Sequence, residues 1–338
     1  MTFKDSHEIA ITGVADYSPG PPVTNAELET ALQTPVTTLM NYFGVESRHY
    51  VIDPATGERR EPGLGTTEMS VRAARSALQQ AGVEIGEVDF LITSSSTPDD
   101  RLPPLTYQVQ RRLGLGEIRT LDLRGGCTVA MQALTTACTL IESGRANTVL
   151  VTAADCISPA YFAPLLKANA KLSSENLMNG LAFADGGGAI VVQARPKVKG
   201  LRVLHADIAS RFHTRDVGFS LDASGSAIHN HRSIRSVLPD VAARAMKDML
   251  GPVDGNADKI DVLIVPQVNR SMIRVAGNEG MDSKRFYIGH EIGNCPAPAI
   301  FRAMARAIER GNIQTGESCV GVLGIETASW NYGVALLH

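Results

Sequence analysis

The sequence predicts an α/β protein built from two similar halves. Short apolar runs alternate with helical stretches along the 338 residues, which is the pattern of strands buried between layers of helices. The second observation is an internal repeat, since Val71 to Ser95 and Ala242 to Gln267 both read as helix, turn and apolar strand. One such match is common by chance in α/β proteins, so the prediction depends on a second one.

The second match concerns two helices that begin at a cysteine. Gly126-Cys127 opens one helix and Asn294-Cys295 opens the other, and each helix leads into an apolar strand. We therefore divide the chain into residues 1–195 and 196–338. A pseudo-twofold axis between these halves would bring Cys127 and Asn294 towards a shared centre.

The individual elements follow from apolar runs and from helical periodicity. The strands predicted most clearly are Phe90 to Thr93, Thr148 to Thr152, Ala189 to Val192, Val262 to Val265, Cys319 to Leu323 and Val334 to Leu337. The helices predicted most clearly are Met69 to Ala81, Ala130 to Ser143 and Ile300 to Arg310. The glycines of Asp185-Gly186-Gly187-Gly188 lie between strand-like runs with no helix after them, so we interpret them as a structural turn and not as a phosphate cradle.

Composition excludes several classes of protein. Hydrophobic residues make up 44% of the chain and charged residues 20%, which is too apolar for a disordered protein. The formal net charge of −3 leaves no basic surplus for binding nucleic acid. No apolar run approaches the roughly 20 residues needed to cross a bilayer, and the polar start lacks the apolar segment of a signal peptide. We expect a cytoplasmic protein.

One of the five cysteines is a candidate nucleophile. Their number is odd and no two form a CxxC pair, which argues against disulfides and against a thiolate zinc site, so we expect no metal. Cys127 follows an extended segment and paired glycines and precedes a run of helix formers, the pattern of a strand-turn-helix elbow. Backbone N–H groups and the helix dipole would stabilise a thiolate there. The alternative is a small buried cysteine at a tight turn, and Cys295 is the rival nucleophile.

These residues resemble the β-ketoacyl-acyl-carrier-protein synthase III group of thiolase-fold enzymes, over nearly the whole chain. The marks occur in the family's order: Thr24-Asn25-Ala26-Glu27-Leu28, Gly44-Val45-Glu46-Ser47-Arg48, Ser96-Thr97-Pro98-Asp99 with Leu102-Pro103, Asp122 before Gly126-Cys127, and Phe183-Ala184-Asp185-Gly186-Gly187-Gly188-Ala189. The resemblance implies a five-layered αβαβα fold of two pseudo-twofold-related halves and a homodimer. It also implies that Cys127 is acylated by a thioester of acyl carrier protein or coenzyme A, with no bound cofactor.

The chain departs from the family at a motif that usually supplies a histidine. The family's His-Gln-Ala-Asn reads Pro266-Gln267-Val268-Asn269 here. Proline has neither a titratable group nor an N–H, so the first position cannot bind a thioester carbonyl. Asn269 keeps the family's asparagine, and the Gly-Asn motif survives as Gly293-Asn294.

A second histidine lies four residues before the retained asparagine. The segment Gly289-His290-Glu291 is similar to a divergent branch of the family that transfers acyl groups to hydroxyl or amine acceptors in natural-product pathways. In that branch this loop supplies the histidine, and an imidazole suits removal of the acceptor's proton near neutral pH. Asn294 could orient His290 but cannot stabilise an imidazolium. Glu291 could do so, although its place in the sequence does not aim it at the ring. The alternative is a loop histidine bonded to backbone.

Two further features bear on the acyl donor. The oxyanion hole requires backbone donors, and we assign them to Cys127 and to Ala328 or Ser329, in a stretch that has lost the family's glycines. The tryptophan and arginine that commonly hold the adenine of coenzyme A correspond to Thr38 and Tyr42, which favours a carrier-protein donor or a differently held coenzyme A. Candidates for an acyl wall are Tyr161, Phe162 and Leu165 to Met178.

Three functions remain open from the sequence. The first is an acyltransferase that loads Cys127 and passes the acyl group to a hydroxyl, amine or related nucleophile, with His290 as base and Asn294 nearby. The second is a carbon–carbon bond-forming condensation of the synthase III type that works without the usual histidine. The third is an inactive partner in a heterodimeric synthase.

Overall fold

A computed structural model describes residues 8–167, 174–194, 196, 199–210, 216–221, 227–270, 273 and 281–338. The strands are β1 (Ile9–Tyr17), β2 (Val23–Thr24), β3 (Ser47–Arg48), β4 (Phe90–Ser95), β5 (Arg119–Arg124), β6 (Thr148–Asp155), β7 (Gly186–Ala194), β8 (Leu201–Ser210), β9 (Phe219–Leu221), β10 (Ala227–His229), β11 (Val262–Ile264), β12 (Arg285–Phe286), β13 (Val320–Glu326) and β14 (Asn331–Leu337).

The helices are α1 (Asn25–Leu32), α2 (Thr37–Phe43), α3 (Thr66–Ala81), α4 (Leu105–Leu113), α5 (Val129–Glu142), α6 (Ser158–Tyr161), α7 (Ala163–Leu166), α8 (Ser174–Ala182), α9 (His231–Leu250), α10 (Gly289–Ile292) and α11 (Ala299–Glu309). Among the described residues, no helix combines the length and the apolar character needed to cross a membrane.

The strands and helices predicted from periodicity are confirmed, with small differences at their ends. One interpretation is wrong: Gly186, Gly187 and Gly188 are not a turn but the buried start of β7. They pair with Asp155 to Ala153 of β6. A Cβ at Gly187 would lie 2.7 Å from the backbone oxygen of Met69, and one at Gly186 would overlap the Arg302 guanidinium. The glycines are therefore explained by close packing on both faces of a strand.

The main sheet has ten strands in the order β12-β11-β13-β14-β8-β1-β7-β6-β4-β5. At its middle β1 pairs with β8 through Ala10 and Arg202 and through Ile11 and Leu201. Five strands lie on each side of this join: β8, β14, β13, β11 and β12 on one side, and β1, β7, β6, β4 and β5 on the other. Counted outwards from the join, β6 is third on its side and β13 is third on the other side. The boundary at 195/196 stays a prediction.

Five layers result from the way helices cover this sheet. Helices α3 and α4 pack against β1, β4, β6 and β7, and α9 packs against β13 and β14 on the opposite outer side. The largest core cluster lies between the two halves of the sheet, where α5 and α11 contact each other and strands from both halves. The α/β prediction with a thiolase-like αβαβα arrangement is thus confirmed.

A buried ion pair joins α11 to the first strand. The Arg302 side chain is fully buried, and its Nε lies 2.6 Å from Oδ1 of Asp16, whose side chain is 6% exposed. Arg306, 32% exposed, contacts the second oxygen at 2.7 Å. Arg302 also donates to Ser18 at 2.6 Å. Because both charged groups are out of water, removal of one would leave the other poorly compensated.

We predict that Arg302→Ala lowers the free energy of unfolding by about 3–5 kcal/mol, since Asp16 stays buried with one partly exposed partner. Urea denaturation followed by circular dichroism measures this. The matched control is Arg244→Ala, whose exposed pair with Asp240 is worth about 1 kcal/mol or less. Equal losses of unfolding free energy in the two variants would show that the buried pair stabilises the protein no more than the exposed pair does.

Candidate active site

Cys127 lies in the turn between β5 and α5, at the centre of the five layers. The strand before it is fixed by Asp122, which accepts hydrogen bonds from Thr93 Oγ1 at 2.9 Å and from the Leu105 backbone at 2.8 Å. Gly125 N then donates to Ser95 O at 3.3 Å, and the helix begins at Val129. This is the strand-turn-helix geometry that the glycines before Cys127 predicted.

Glycines in the second half allow the start of α5 to come close to the β13–β14 hairpin. Gly324 and Gly333 face each other across this pair of strands. A Cβ at Gly324 would lie 2.9 Å from the Met131 side chain and 3.5 Å from the Cys127 backbone oxygen. A Cβ at Gly333 would overlap the Met131 side chain. Any larger residue at these positions would push α5, and Cys127 with it, away from the second half.

Cys127 opens onto an apolar cavity. Its empty volume is about 600 Å³, including the open mouth. Apolar side chains from α9, β11 and β13 form most of the wall, and Thr327 and Arg285 add polar groups. The lining residues are Cys127, Leu238, Met246, Leu263, Val265, Pro266, Val268, Ile273, Arg285, Leu323, Ile325 and Thr327. A cavity with this lining suits an apolar chain attached to the Cys127 sulfur.

The cavity wall differs from the one suggested by the sequence. Tyr161 and Phe162 do not line it, because Phe162 is fully buried against Tyr50 at 5.0 Å between ring centroids and Tyr161 lies beside Phe183. Residues 168–173, which belong to the suggested acyl wall, lie outside the described residues. Long-range packing of α9 supplies the wall, and local sequence carries no signal of that.

Pro266 is part of the cavity wall on the same side as Val265 and Val268. The position that offers an imidazole in the resembled family therefore offers only ring carbons to anything bound at Cys127. The neighbouring Gln267 is buried and structural, since it donates to the backbone oxygens of Val265 and Phe286 and accepts from Ile288 N at 2.7 Å. Asn269 accepts from Ile273 N at 3.2 Å through its backbone and is not in the cavity wall.

The surroundings of Cys127 disfavour ionisation of its thiol. Burial raises the pKa of its thiol well above the ordinary value, and the nearby charges of Glu326 and Asp155 raise it further. Its own backbone N–H lowers the pKa, but this effect is the smallest. Removal from water and the two carboxylates therefore act against the thiolate, and its stabilisation by the helix start stays a prediction.

Sequence reasoning missed Glu326 as a residue of the site. Its carboxylate accepts from Gly126 N at 3.1 Å and from Thr128 N at 3.4 Å, on both sides of Cys127. Glu326 is 8% exposed, and burial raises its pKa. The sequence does carry a signal for this residue, because Glu326 is the acidic end of a strand that otherwise contains apolar residues and glycines.

His290 lies in α10 with a carboxylate beside it. Its Nε2 is 3.2 Å from Oε1 of Glu291, and its side chain is 22% exposed. Glu291 is in turn held by Arg310 at 2.5 and 3.1 Å, which lowers the pKa of the Glu291 carboxyl. The question left open by the sequence is answered in this respect: Glu291 does face the ring. His290 itself is not in the wall of the cavity that Cys127 lines.

Polar atoms without partners cluster around the same loop. Within the described part of the chain, His290 Nδ1, Tyr287 Oη and Asn294 Oδ1 are buried and make no hydrogen bond. The rings of Tyr287 and His290 lie 5.6 Å apart. Buried polar atoms are rarely left unpaired, and unpaired ones collect at sites that bind a ligand or carry out chemistry.

The two helix starts meet at Asp155, the last residue of β6. Its buried carboxylate accepts from Ser96 N at 2.8 Å in the first half and from Ala297 N at 2.7 Å in the second. Cys295 Sγ lies 3.8 Å from the Asp155 backbone oxygen. The charge of Asp155 acts on Cys127 as well. Burial raises the pKa of Cys295 in the same way, and Cys295 is fully buried, so it cannot meet a substrate as Cys127 can.

The backbone of Asn294 is fixed against the first half. Its N–H donates to Ala182 O and its carbonyl accepts from Ala184 N, both at 2.9 Å. The stretch suggested for the oxyanion hole forms the turn between β13 and β14. In that turn Thr327 lines the cavity, Ala328 is half-buried and Ser329 is exposed. Cys127, Ala328 and Ser329 remain predictions for the oxyanion donors.

No group of three or more histidine, cysteine, aspartate or glutamate side chains in the described ranges is placed to hold a metal ion.

Comparison with known proteins agrees with this geometry. The model of the 3-oxoacyl-[acyl-carrier-protein] synthase III family matches residues 121–211, the segment that contains Cys127. The β-ketoacyl-[acyl-carrier-protein] synthase III of Dinoroseobacter shibae is 27% identical over 92% of this chain and 93% of its own.

Solved structures share the whole fold. The tetronic acid condensing enzyme AbyA1 has a TM-score of 0.87 and 25% identity, covering 98% of this chain and 99% of its own. OleA of Xanthomonas campestris has a TM-score of 0.84 and 18% identity, covering 100% of this chain and 99% of its own. The chain is therefore similar over nearly its whole length to β-ketoacyl-[acyl-carrier-protein] synthase III proteins in sequence, and to AbyA1 and OleA in fold.

Proposed function

We propose that this protein is an acyltransferase of natural-product biosynthesis. Cys127 attacks an acyl thioester, the acyl carbon forms a bond to Sγ, and the carrier thiol leaves. A hydroxyl, amine or related nucleophile of a second substrate then takes the acyl group from Cys127 and frees the sulfur. Formation of an acyl-enzyme divides one difficult transfer into two easier steps.

The observation that carries this proposal is Pro266 in the cavity wall. Decarboxylation of a malonyl unit places negative charge on the thioester oxygen, and hydrogen-bond donors must meet it there. Pro266 has no donor to offer. Transfer of an acyl group to a hydroxyl or amine makes no such demand on that position. It needs a base for the acceptor's proton.

His290 is the base in this proposal. Glu291 Oε1 lies 3.2 Å from Nε2 and favours the tautomer with the proton on that nitrogen, so that Nδ1 keeps a free lone pair. Nδ1 is buried and without a partner in the part of the chain that the structure describes. Glu291, held by Arg310, would stabilise the imidazolium that forms. Asn294 Oδ1, in the same loop, can accept a hydrogen bond from the hydroxyl or amine of the acceptor substrate.

The cavity supports an apolar acyl group as the donor's cargo. Its wall is mostly aliphatic, from Leu238 and Met246 of α9 to Leu323 and Ile325 of β13. Transfer of each CH₂ from water into such a wall contributes about 0.8 kcal/mol. Either a carrier protein or coenzyme A delivers the thioester in this proposal. Tyr42 lies at the place of one of the family's adenine-holding residues, and its side chain is 76% exposed.

Condensation is the second candidate function, and the comparisons favour it. The curated relative is named a synthase, and AbyA1 is described as a condensing enzyme. The retained Asn294 would serve it. A condensation whose acceptor is already an activated β-keto species could proceed without a histidine at Pro266.

We predict that wild-type protein gains the mass of an acyl group when it is incubated with acyl thioesters, whereas Cys127→Ala does not. His290→Ala should still acquire the acyl group but transfer it to an added alcohol or amine about 10²–10⁴-fold more slowly. Intact-protein mass spectrometry measures loading and discharge. His338→Ala, a change at the end of the chain, is the control and should behave as wild type. Normal discharge by His290→Ala would exclude it as the base.

We also predict that Met246→Trp shortens the acyl chain that Cys127 accepts, because the indole fills part of the cavity. Loading with a long acyl thioester should fall at least tenfold relative to acetyl, the equivalent of about two CH₂ groups. The same mass measurement compares the two donors. Lys247→Trp places equal bulk on the exposed side of α9 and should leave the ratio unchanged. An unchanged ratio in Met246→Trp would show that the acyl chain lies elsewhere.

A further inference from the structure

Glu326 is a buried carboxylate that the proposed transfer does not use. It is the last residue of β13 and comes from the second half of the chain. Its Oε2 accepts from Gly126 N at 3.1 Å, from Thr128 N at 3.4 Å and from Thr128 Oγ1 at 3.5 Å. Both amides belong to the first half, and they flank Cys127 in the sequence.

The local structure is shaped to admit this carboxylate. A Cβ at Gly126 would lie 2.6 Å from Glu326 Oε1, so a larger residue before Cys127 would displace the carboxylate from its present position. Helix α5 receives no hydrogen bond from the side chain of its own N-cap residue, Thr128. Glu326 therefore holds the turn that leads into the helix, through the amide of the N-cap residue Thr128 and that of Gly126.

A matching carboxylate stands at the equivalent place in the other half. Asp155 ends β6 as Glu326 ends β13, and the two strands hold the same position on either side of the β1–β8 join. Asp155 accepts from Ala297 N at 2.7 Å, just before α11 begins at Ala299. Each half thus sends a buried carboxylate to the start of the other half's central helix. This reciprocity indicates that Glu326 belongs to the architecture of the site.

We propose that Glu326 is a positioning residue for Cys127: it fixes the turn through the amides on both sides of the cysteine and sets a buried carboxylate next to the nucleophile. The proposal rests on the proposed function only in taking Cys127 as the nucleophile. It holds equally for acyl transfer and for condensation.

Charges from three elements act on this site. Cys127 lies on the turn before α5, Asp155 at the end of β6, and Glu326 at the end of β13, opposite the neutral Asn331 of β14. Burial, then Glu326, then Asp155 raise the pKa of the Cys127 thiol. Burial also raises the pKa of Glu326, while the Thr128 and Gly126 amides lower it. Since a like charge disfavours the thiolate, removal of the Glu326 charge must lower the pH at which Cys127 ionises.

The test is the pH dependence of Cys127 alkylation by iodoacetamide, read by mass spectrometry of the peptide that contains Cys127. The thiolate sulfur bonds to the methylene carbon, iodide leaves with its bonding electrons, and the thiol proton passes to the buffer. In the wild type the midpoint of the curve of alkylation rate against pH should lie above about 8.5, the pKa of an ordinary cysteine. In Glu326→Gln, which keeps the size and an acceptor oxygen, the midpoint should fall by about one pH unit, so alkylation at pH 8 becomes about tenfold faster.

Glu142→Gln removes a charge from the far end of α5 and should not move the midpoint. Glu326→Asp keeps the charge but is shorter, so it should keep the high midpoint and lose thermal stability. A wild-type midpoint at or below that of free cysteine, or an unchanged midpoint in folded Glu326→Gln, would overturn the proposal. If Glu326→Gln does not fold, the wild-type midpoint and Glu326→Asp still decide. Alkylation needs no acyl donor, so failure here and failure of acyl transfer are distinguishable.

Discussion

The close packing of α5 against the β13–β14 hairpin is the constraint on which the rest of this site depends. It brings Cys127 from the first half of the chain onto a wall made by the second half. The contact exists only because Gly324 and Gly333 present no side chain towards Met131. The shared lining of the cavity by Cys127 and Pro266 and the Glu326 hydrogen bonds both follow from that approach.

Burial is the chemical consequence of this packing. A thiol placed between layers of helices and strands loses water, and this burial raises the pKa of Cys127. Carboxylates at the same depth need hydrogen-bond donors, which Glu326 and Asp155 take from backbone amides of the opposite half. The two halves are therefore joined by apolar packing and by hydrogen bonds from buried carboxylates of one half to backbone amides of the other.

Much of the fold could be predicted from the sequence, because the local periodicity of apolar residues indicates where strands and helices lie. The repeat located the two central helices and the cysteine that begins each of them. The glycines of β7 were misread as a turn, since their cause is Arg302 and Met69 pressing on the strand from distant parts of the chain. The cavity wall and the role of Glu326 were missed for the same reason: both depend on contacts across about 200 positions of sequence, as between Gly126 and Glu326.

The proposed function depends on one position in the cavity wall. Pro266 removes a donor from the cavity wall while the cysteine elbow stays intact, and His290 lies on a different loop with Glu291 and Arg310 behind it. A fold that is used for condensation in its relatives is in this way compatible with transfer to another nucleophile.

The most direct measurement is the amount of carbon dioxide released per acyl group transferred, with an apolar acyl thioester as donor, a malonyl thioester labelled at its free carboxylate, and an alcohol or amine all present. The account predicts transfer that depends on Cys127, with carbon dioxide no higher than in Cys127→Ala. Release of one carbon dioxide per turnover, together with a β-ketoacyl product, would contradict it and assign the protein to condensation.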